Sequence, residues 1–281
     1  MSYEPMLAHP MPEDFNPAPG TWVAEEKYDG HRLMVKVTDS CPWICATSRG
    51  GLRRELPAHL IEELKRLPVG VYDGELFVPG KRSYGVTEKL NQDELVYVVF
   101  DLLEVLGHAI TSRPYSERRS FLVEIFRHDR GPVCLAKTTT IFLGRPEIAV
   151  LAREVWSLDG EGLILKRLAA PYQPGKRSKD QLKVKQERTA VLTVVGFAKG
   201  KSGPHSVVLL VDDEGNETRV KAKDDATRAM FESFGPDIFM GRKLRIDYQE
   251  RTPDGGYRHP MFDRFEEDKG STVFENPPKE K

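Results

Sequence analysis

The sequence predicts a mixed α/β (α+β) domain with antiparallel sheets, followed by a small all-β barrel. Three observations predict it. A length of 281 residues corresponds to about two domains at roughly 100–200 residues each. Up to residue 187, short strand-like runs alternate with segments of helical apolar spacing. Beyond Glu187–Arg188 the texture changes to closely spaced strands around one helix. Apolar residues make up 39% and charged residues 30%, a balance that supports a buried core and excludes a disordered chain.

The elements follow in order. Residues 1–20, rich in Pro and Met, read as an extended lead-in. Val35-Lys36-Val37 and Trp43-Ile44-Cys45-Ala46-Thr47 read as hairpin strands closed by Ser48-Arg49-Gly50-Gly51. Leu56, Leu60, Ile61, Leu64 and Leu67 have helical spacing. Residues 71–78 and 95–103 read as strands buried on at least one face. Phe121, Leu122, Ile125 and Phe126 predict a second helix, and Ile148, Leu151, Ala152 and Val155 a third. Residues 163–166 and 181–185 return to strand. In the C-terminal part, 191–197, 206–211, 218–220, 243–249 and 257–265 read as strands, 226–234 as a helix, and Asp212-Asp213-Glu214-Gly215-Asn216 as a hairpin turn. Such a set fits a small barrel of the oligonucleotide-binding class, an OB-fold. The expected domains are 1–187 and 188–281, the latter ending in a frayed tail from Gly270.

Composition excludes several classes. No apolar run approaches the roughly 20 residues of a membrane span. The start, Met1-Ser2-Tyr3-Glu4-Pro5, lacks a basic-then-apolar leader, which argues against secretion. Cys41, Cys45 and Cys134 cannot form a disulfide framework, and Cys41 with Cys45 lacks the second pair a structural zinc needs. A reducing cytoplasm is the expected setting. The net charge of −1 conceals a basic block over 166–185. There Lys166, Arg167, Lys176, Arg177, Lys179, Lys183 and Lys185 face Asp180 alone. Such a block suits a polyanion such as nucleic acid; on charge alone a solvated basic face suits it equally.

The sharpest local signal is Lys27-Tyr28-Asp29-Gly30-His31-Arg32, a lysine at a strand end followed by an Asp-Gly turn and an arginine. Val71-Tyr72-Asp73-Gly74-Glu75-Leu76 puts Asp73 and Glu75 on one strand face by the period of two. Val98-Val99-Phe100-Asp101-Leu102 sets an aromatic beside an acid. Glu161-Gly162-Leu163-Ile164-Leu165-Lys166 supplies a carboxylate and a lysine, and Leu182-Lys183-Val184-Lys185 puts two ammonium groups on one face. Strict alternation would place Glu161 and Lys166 on opposite faces, so Glu161 is expected in the turn entering the strand, freed by Gly160 and Gly162.

This ordered set resembles the covalent nucleotidyltransferases, and most closely the ATP-dependent DNA ligases. Pro5-Met6-Leu7-Ala8, Ser48-Arg49-Gly50-Gly51 and Tyr172-Gln173-Pro174-Gly175-Lys176-Arg177-Ser178 are further family-like segments, and the resemblance spans roughly residues 5–270. It implies a nucleotidyltransferase domain and an OB-fold domain. Lys27 would take AMP from ATP as a phosphoramidate, AMP would pass to the 5′-phosphate at a nick, and the 3′-hydroxyl would then displace it. Glu25 matches the residue that recognises the adenine edge, and Phe100 the aromatic that stacks on adenine. Glu75 and Glu161 match the acids that handle ribose hydroxyls or a divalent cation, and hard carboxylate ligands suit Mg2+ or Mn2+. Arg32, Arg49 and Arg177 match positions that contact phosphates of the nucleotide or the nick. A lysine must lose its proton to attack phosphorus, and neighbouring cations disfavour its charged form. Lys166, Lys183 and Lys185 are expected to exert that effect on Lys27 and to neutralise phosphoryl charge.

Residues 258–269 resemble the family's last motif, which orients the departing pyrophosphate. Its usual arginine, two residues before Asp268-Lys269, is replaced by Glu266, and Arg264 lies two residues upstream of that acid. Lys269, with Arg264, is expected to carry the role. The implied partner is nicked double-stranded DNA, held by a monomer. Only 26 residues precede Lys27, so an N-terminal DNA-binding domain is not expected, and inserted loops or a helper DNA-binding protein would assist the grip. NAD-dependent ligation does not fit the length. An RNA ligase, a capping-type guanylyltransferase and a non-enzymatic nucleic-acid-binding module on a decayed ligase scaffold are the alternatives. Intact Lys27, Glu161, Lys183 and Lys185 argue against the last.

Overall fold

Alternating side chains sort the first part of the chain into two sheets. The computed structural model describes residues 3–128, 131–186, 188–248, 250–252 and 254–266, and the chain divides into two units, Met1–Gln186 and Glu187–Lys281. In chain order the first unit has β1 (Leu7–Pro10), β2 (Trp22–Glu26), β3 (His31–Val37), β4 (Ile44–Ser48), β5 (Arg53–Arg54), α1 (Ala58–Leu64), β6 (Gly70–Phe77), β7 (Val96–Val105) and β8 (His108–Ala109). It continues with α2 (Tyr115–Ile125), β9 (Val133–Leu135), β10 (Thr138–Ile141), α3 (Arg145–Ser157), β11 (Gly162–Arg167) and β12 (Arg177–Lys185). One sheet runs β1-β12-β11-β2-β10; the other runs β5-β4-β3-β6-β7-β8, with β9 added to β7.

The first sheet shows the period of two cleanly. Ala24, Leu163, Leu165, Leu182 and Val184 point to a core shared with Ile148 and Ala152 of α3. Residues between them, Ile164, Lys166, Lys183, Lys185 and Glu25, take the other face, with Glu25 opposite Ile164 and Ile164 opposite Lys183. In the second sheet, Leu33, Val35, Tyr72, Leu76, Val99 and Leu102 form the main core. Val99 and Leu102 are three residues apart, not two. The pairing of β6 with β7 shifts between Asp73 and Gly74, so that Gly74 faces Val99 while Asp73 faces Asp101. Phe100 keeps the face of Val98, in a separate cluster with Ala136, and the bulge after it returns Leu102 rather than Asp101 to the main core.

Four sequence expectations change. The lead-in contains a strand: β1 pairs parallel to β12, an interaction made by backbone groups and invisible to side-chain periodicity. With β9 parallel to β7, the sheets are antiparallel except at these two pairings. Ser48-Arg49-Gly50-Gly51 does not close the first hairpin. Residues 38–43 do, where the Thr38 hydroxyl donates to Ser40 O and Pro42 O at 2.7 and 2.8 Å; Ser48–Gly51 links β4 to β5. Finally, 257–265 is two strands rather than one, because His259 takes a positive φ of 51° before Pro260.

The second unit contains β13 (Arg188–Gly200), β14 (Gly203–Val211), β15 (Glu217–Lys221), α4 (Asp225–Phe234), β16 (Lys243–Tyr248), β17 (Glu250–Arg251), β18 (Tyr257–Arg258) and β19 (Met261–Phe265). Five of these strands form an antiparallel sheet, β15-β14-β13-β16-β19. Asp224 caps α4 by accepting the Thr227 N–H at 2.8 Å. Phe231 of α4 is fully buried and packs edge-on against Phe197 and Phe239, with ring centroids 4.9 and 5.0 Å away. The hairpin turn over 212–216 is held by Asp212 Oδ1, which accepts the Glu214 and Asn216 N–H groups.

Candidate active site

The polar face of the first sheet and the bulged part of the second line one cavity of about 720 Å³. Lys27 stands just past the end of β2, and its N–H bonds Gly162 O at 2.9 Å. The chain can pass close to β6 there because Gly30 has no side chain: a Cβ would lie 2.3 Å from Leu76 O. Gly162 does the corresponding work at the start of β11. Its φ is +146°, and a Cβ would lie 2.0 Å from Val184 O. That backbone reverses the alternation, so Glu161, though five residues before Lys166, reaches Lys27 and Lys185 of the cavity wall.

Glu161 bridges two lysines. Oε2 pairs with Lys27 Nζ, and Oε1 lies 2.6 Å from Lys185 Nζ. Lys183 is opposite Ile164 on the same face. Burial, then Lys185, Arg177 and Lys27, push its ammonium below the usual lysine range. Glu75 also lines the cavity, and burial pushes its carboxyl up to about 7 against the opposing pull of Arg32 and Lys27. Arg49, on the exposed 48–52 loop, and Arg177, whose guanidinium donates to Ala8 O, reach the same space.

The far end is a buried ionic cluster. Glu25 and Lys166 are 3% and 5% exposed, and Lys166 Nζ lies 2.7 Å from Glu25 Oε2 and 2.8 Å from Phe100 O. The Tyr115 hydroxyl, at the first residue of α2, donates to Glu25 Oε1. Arg32 is held by Asp73 through two hydrogen bonds of 2.6 Å, and its guanidinium lies over the Phe100 ring, 4.4 Å from the centroid. Tyr172 donates to Asp73 Oδ2 at 2.6 Å and accepts the Met6 N–H at 2.8 Å.

A lysine paired with a carboxylate among further cations, beside a buried acid–aromatic cluster, is an arrangement that suits a phosphorylated ligand. The family model for the ATP dependent DNA ligase domain matches residues 5–185. The chain belongs to this family. It is 27% identical over 205 residues to a DNA ligase of Pyrobaculum calidifontis, covering 65% of this chain and 35% of that protein. With DNA ligase C2 of Mycolicibacterium smegmatis it shares 29% over 235 residues, covering 75% of this chain and 63% of that one. The chain thus spans between a third and two thirds of the length of these relatives. A Lig E DNA ligase has a similar fold, with a TM-score of 0.76 over 95% of this chain and 100% of that one, at 19% identity.

Most of the family positions expected from sequence meet in the cavity, with three qualifications. Lys166 is not a free cation beside Lys27; its charge is spent on Glu25, and the carboxylate next to Lys27 is Glu161. The basic block is likewise divided: Lys166, Arg167 and Lys185 are paired with Glu25, Asp180 and Glu161. Lys269 lies outside the described residues. Glu266 is not an isolated acid, since Arg245 Nε lies 2.5 Å from its Oε1, while Arg264 pairs with Asp263. Sequence reasoning missed Tyr115 and gave no role to Tyr172 or His31, which lie in the motifs 172–178 and 27–32. His31 lines the cavity, where burial and then Arg54 push its imidazole down against Asp29. Tyr115 left one signal, its position directly after Pro114, where helices commonly begin.

Proposed function

We propose that this chain seals nicks in duplex DNA with ATP, through a lysyl-AMP and then a 5′-adenylylated DNA intermediate. The observation that carries the reading is Lys27 at the mouth of a cation-lined cavity, held by Glu161 in company with Lys185. In the first step Lys27 Nζ forms a bond to the α-phosphorus of ATP and the bond to pyrophosphate breaks. The attacking nitrogen needs its lone pair, so its ammonium proton has to leave, and Glu161 is the carboxylate in contact with it. Lys183, Lys185, Arg49 and Arg177 supply positive charge for the phosphoryl oxygens. AMP then moves to the 5′-phosphate, and the 3′-hydroxyl displaces it.

Residues 1–187 would form the adenylyltransferase domain. Residues 188–281 would form the OB-fold domain; the five-stranded antiparallel sheet with its one helix supports that reading. Glu75 and Glu161 offer hard oxygens for Mg2+ or Mn2+. Among the described residues no group of three or more acids, histidines or cysteines forms a closed metal cage. Two carboxylates fit Mg2+, which commonly takes one or two of them and completes its shell with substrate phosphates and water. Such an ion would neutralise phosphate charge. The enzyme would act as a monomer on nicked DNA, with a helper DNA-binding protein where the grip is insufficient. DNA is favoured over RNA and ATP over GTP by the matching family.

The test is nucleotide labelling followed by end joining. The protein, incubated with labelled ATP or GTP and Mg2+, is expected to retain AMP on Lys27 by peptide mass spectrometry, and to seal nicked DNA in preference to nicked RNA. Retention of GMP instead, or sealing only of RNA, would replace the reading.

A further inference from the structure

The acid–base–aromatic cluster at the closed end of the cavity has a geometry with consequences for base choice. Glu25 is buried and lines the cavity. Each of its oxygens already has one fixed donor, the Tyr115 hydroxyl on Oε1 and Lys166 Nζ on Oε2. A carboxylate has about four acceptor positions, so each oxygen retains one. Lys166 has three protons. One goes to Glu25 and another to Phe100 O, while the rings of Phe100 and Tyr115 lie 4.7 Å from its nitrogen. The cluster therefore offers an incoming group two carboxylate acceptor positions against one Lys166 proton.

Tyr115 is placed independently of this cluster. Its N–H bonds Ala170 O at 2.8 Å, and the next N–H, of Ser116, bonds Leu168 O at 2.9 Å. The helix start is thus stitched to the β11–β12 connection, and the phenol is delivered to Glu25 from a rigid element. Arg118, three residues on, adds to that rigidity. It binds Asp101 through two hydrogen bonds of 2.7 and 2.9 Å and donates to Ala170 O at 3.2 Å. Burial keeps the Tyr115 phenol far above the usual tyrosine range, so it remains an O–H donor.

We infer that Tyr115 is a positioning residue for base selection: its hydroxyl fixes the Glu25 carboxylate so that the cavity accepts a purine bearing a 6-amino group and rejects one bearing a 6-oxo group. A 6-amino group donates to the remaining Glu25 acceptor. A 6-oxo group in the same place sets oxygen against oxygen, and the one proton of the Glu25–Lys166 pair without a hydrogen-bond acceptor, the third on Lys166 Nζ, has the Phe100 and Tyr115 rings 4.7 Å away. Without the phenol, the carboxylate is tethered only by Lys166 and can rotate, so the same position no longer distinguishes donor from acceptor. This rests on the cavity being the nucleotide site of the proposed reaction.

The experiment compares ATP, GTP and purine riboside triphosphate, which lacks the 6-amino group. Equilibrium binding and the covalent adduct are measured separately, on the wild type and on Tyr115→Phe. The wild type should bind ATP at least about tenfold more tightly than either analogue, the size expected for one hydrogen bond to a charged group. Tyr115→Phe keeps the ring but not the O–H. It should bring the ATP-to-analogue ratio to within about threefold of unity, chiefly through weaker ATP binding. A mainly structural role would weaken all three nucleotides alike. Equal wild-type binding of ATP and purine riboside triphosphate overturns the inference without any variant, as does an undiminished ratio in folded Tyr115→Phe. Base-selective binding lost in Tyr115→Phe, but with no adduct in the wild type, would support the inference while removing the proposed reaction.

Discussion

Replacing Asp73 by Asn tests how the cavity is held in shape. Asp73 is fully buried, whereas the Arg32 side chain keeps 18% of its surface exposed. Asp73 accepts two hydrogen bonds from Arg32 and one from Tyr172, each 2.6 Å long. Asn preserves the volume but removes the charge, and it sets an amide N–H against groups that are themselves donors. Breaking a buried ion pair by removing one partner costs about 3–5 kcal/mol. The residual exposure of Arg32 argues for the lower end, about 3 kcal/mol. At a urea dependence of about 3 kcal/mol per molar for a unit of this size, the unfolding midpoint should fall by about 1 M. All three tryptophans, Trp22, Trp43 and Trp156, belong to the first unit, so tryptophan fluorescence reports its unfolding selectively. Arg32 also stacks on Phe100, so ATP affinity should fall with stability. A midpoint within about 0.2 M of the wild type would show that this pair does not hold the two strands around the cavity.

Gly162→Ala should abolish adduct formation and lower stability, because its Cβ would meet Val184 O at 2.0 Å and displace Glu161; single-turnover adenylylation at the wild-type rate would contradict the role given to that backbone. Glu75, pushed from about 4.5 to about 7 by burial, makes the folded state bind more protons than the unfolded one between those values. Its contribution to stability is therefore lost as pH rises from about 4.5 to 7, and urea midpoints across that range should fall less steeply in Glu75→Gln than in the wild type. Lys269→Ala should slow self-adenylylation more than sealing of a pre-adenylylated nick, measured as separate single-turnover rates; a slowing confined to the sealing step would refute the reading of residues 258–269.

Much of this molecule was legible because its chemistry is local. The face shared by Glu25, Ile164, Lys183 and Lys185 follows from alternation along three strands. The helices around Leu60, Leu122 and Ile148 follow from apolar spacing. What sequence reasoning missed depends on backbone geometry or on pairings distant in sequence. The parallel addition of β1 leaves no side-chain pattern. The bulge at Phe100 is set by its partner strand. The neutralisation of Lys166 by Glu25 and the approach of Tyr115 to Glu25 join residues 141 and 90 positions apart. Only the fold shows that three of the seven basic residues over 166–185, Lys166, Arg167 and Lys185, have carboxylate partners.

The most direct measurement of the central claim is sealing of a nicked DNA duplex by the wild type and by Lys27→Ala, each with ATP and Mg2+, on an ordinary 5′-phosphate nick and on one already carrying 5′-AMP. The wild type should seal both. Lys27→Ala should form no protein–AMP adduct and fail on the ordinary nick, yet still join the pre-adenylylated one. Normal sealing of the ordinary nick by Lys27→Ala, or no sealing of either nick by the folded wild type, would contradict the account.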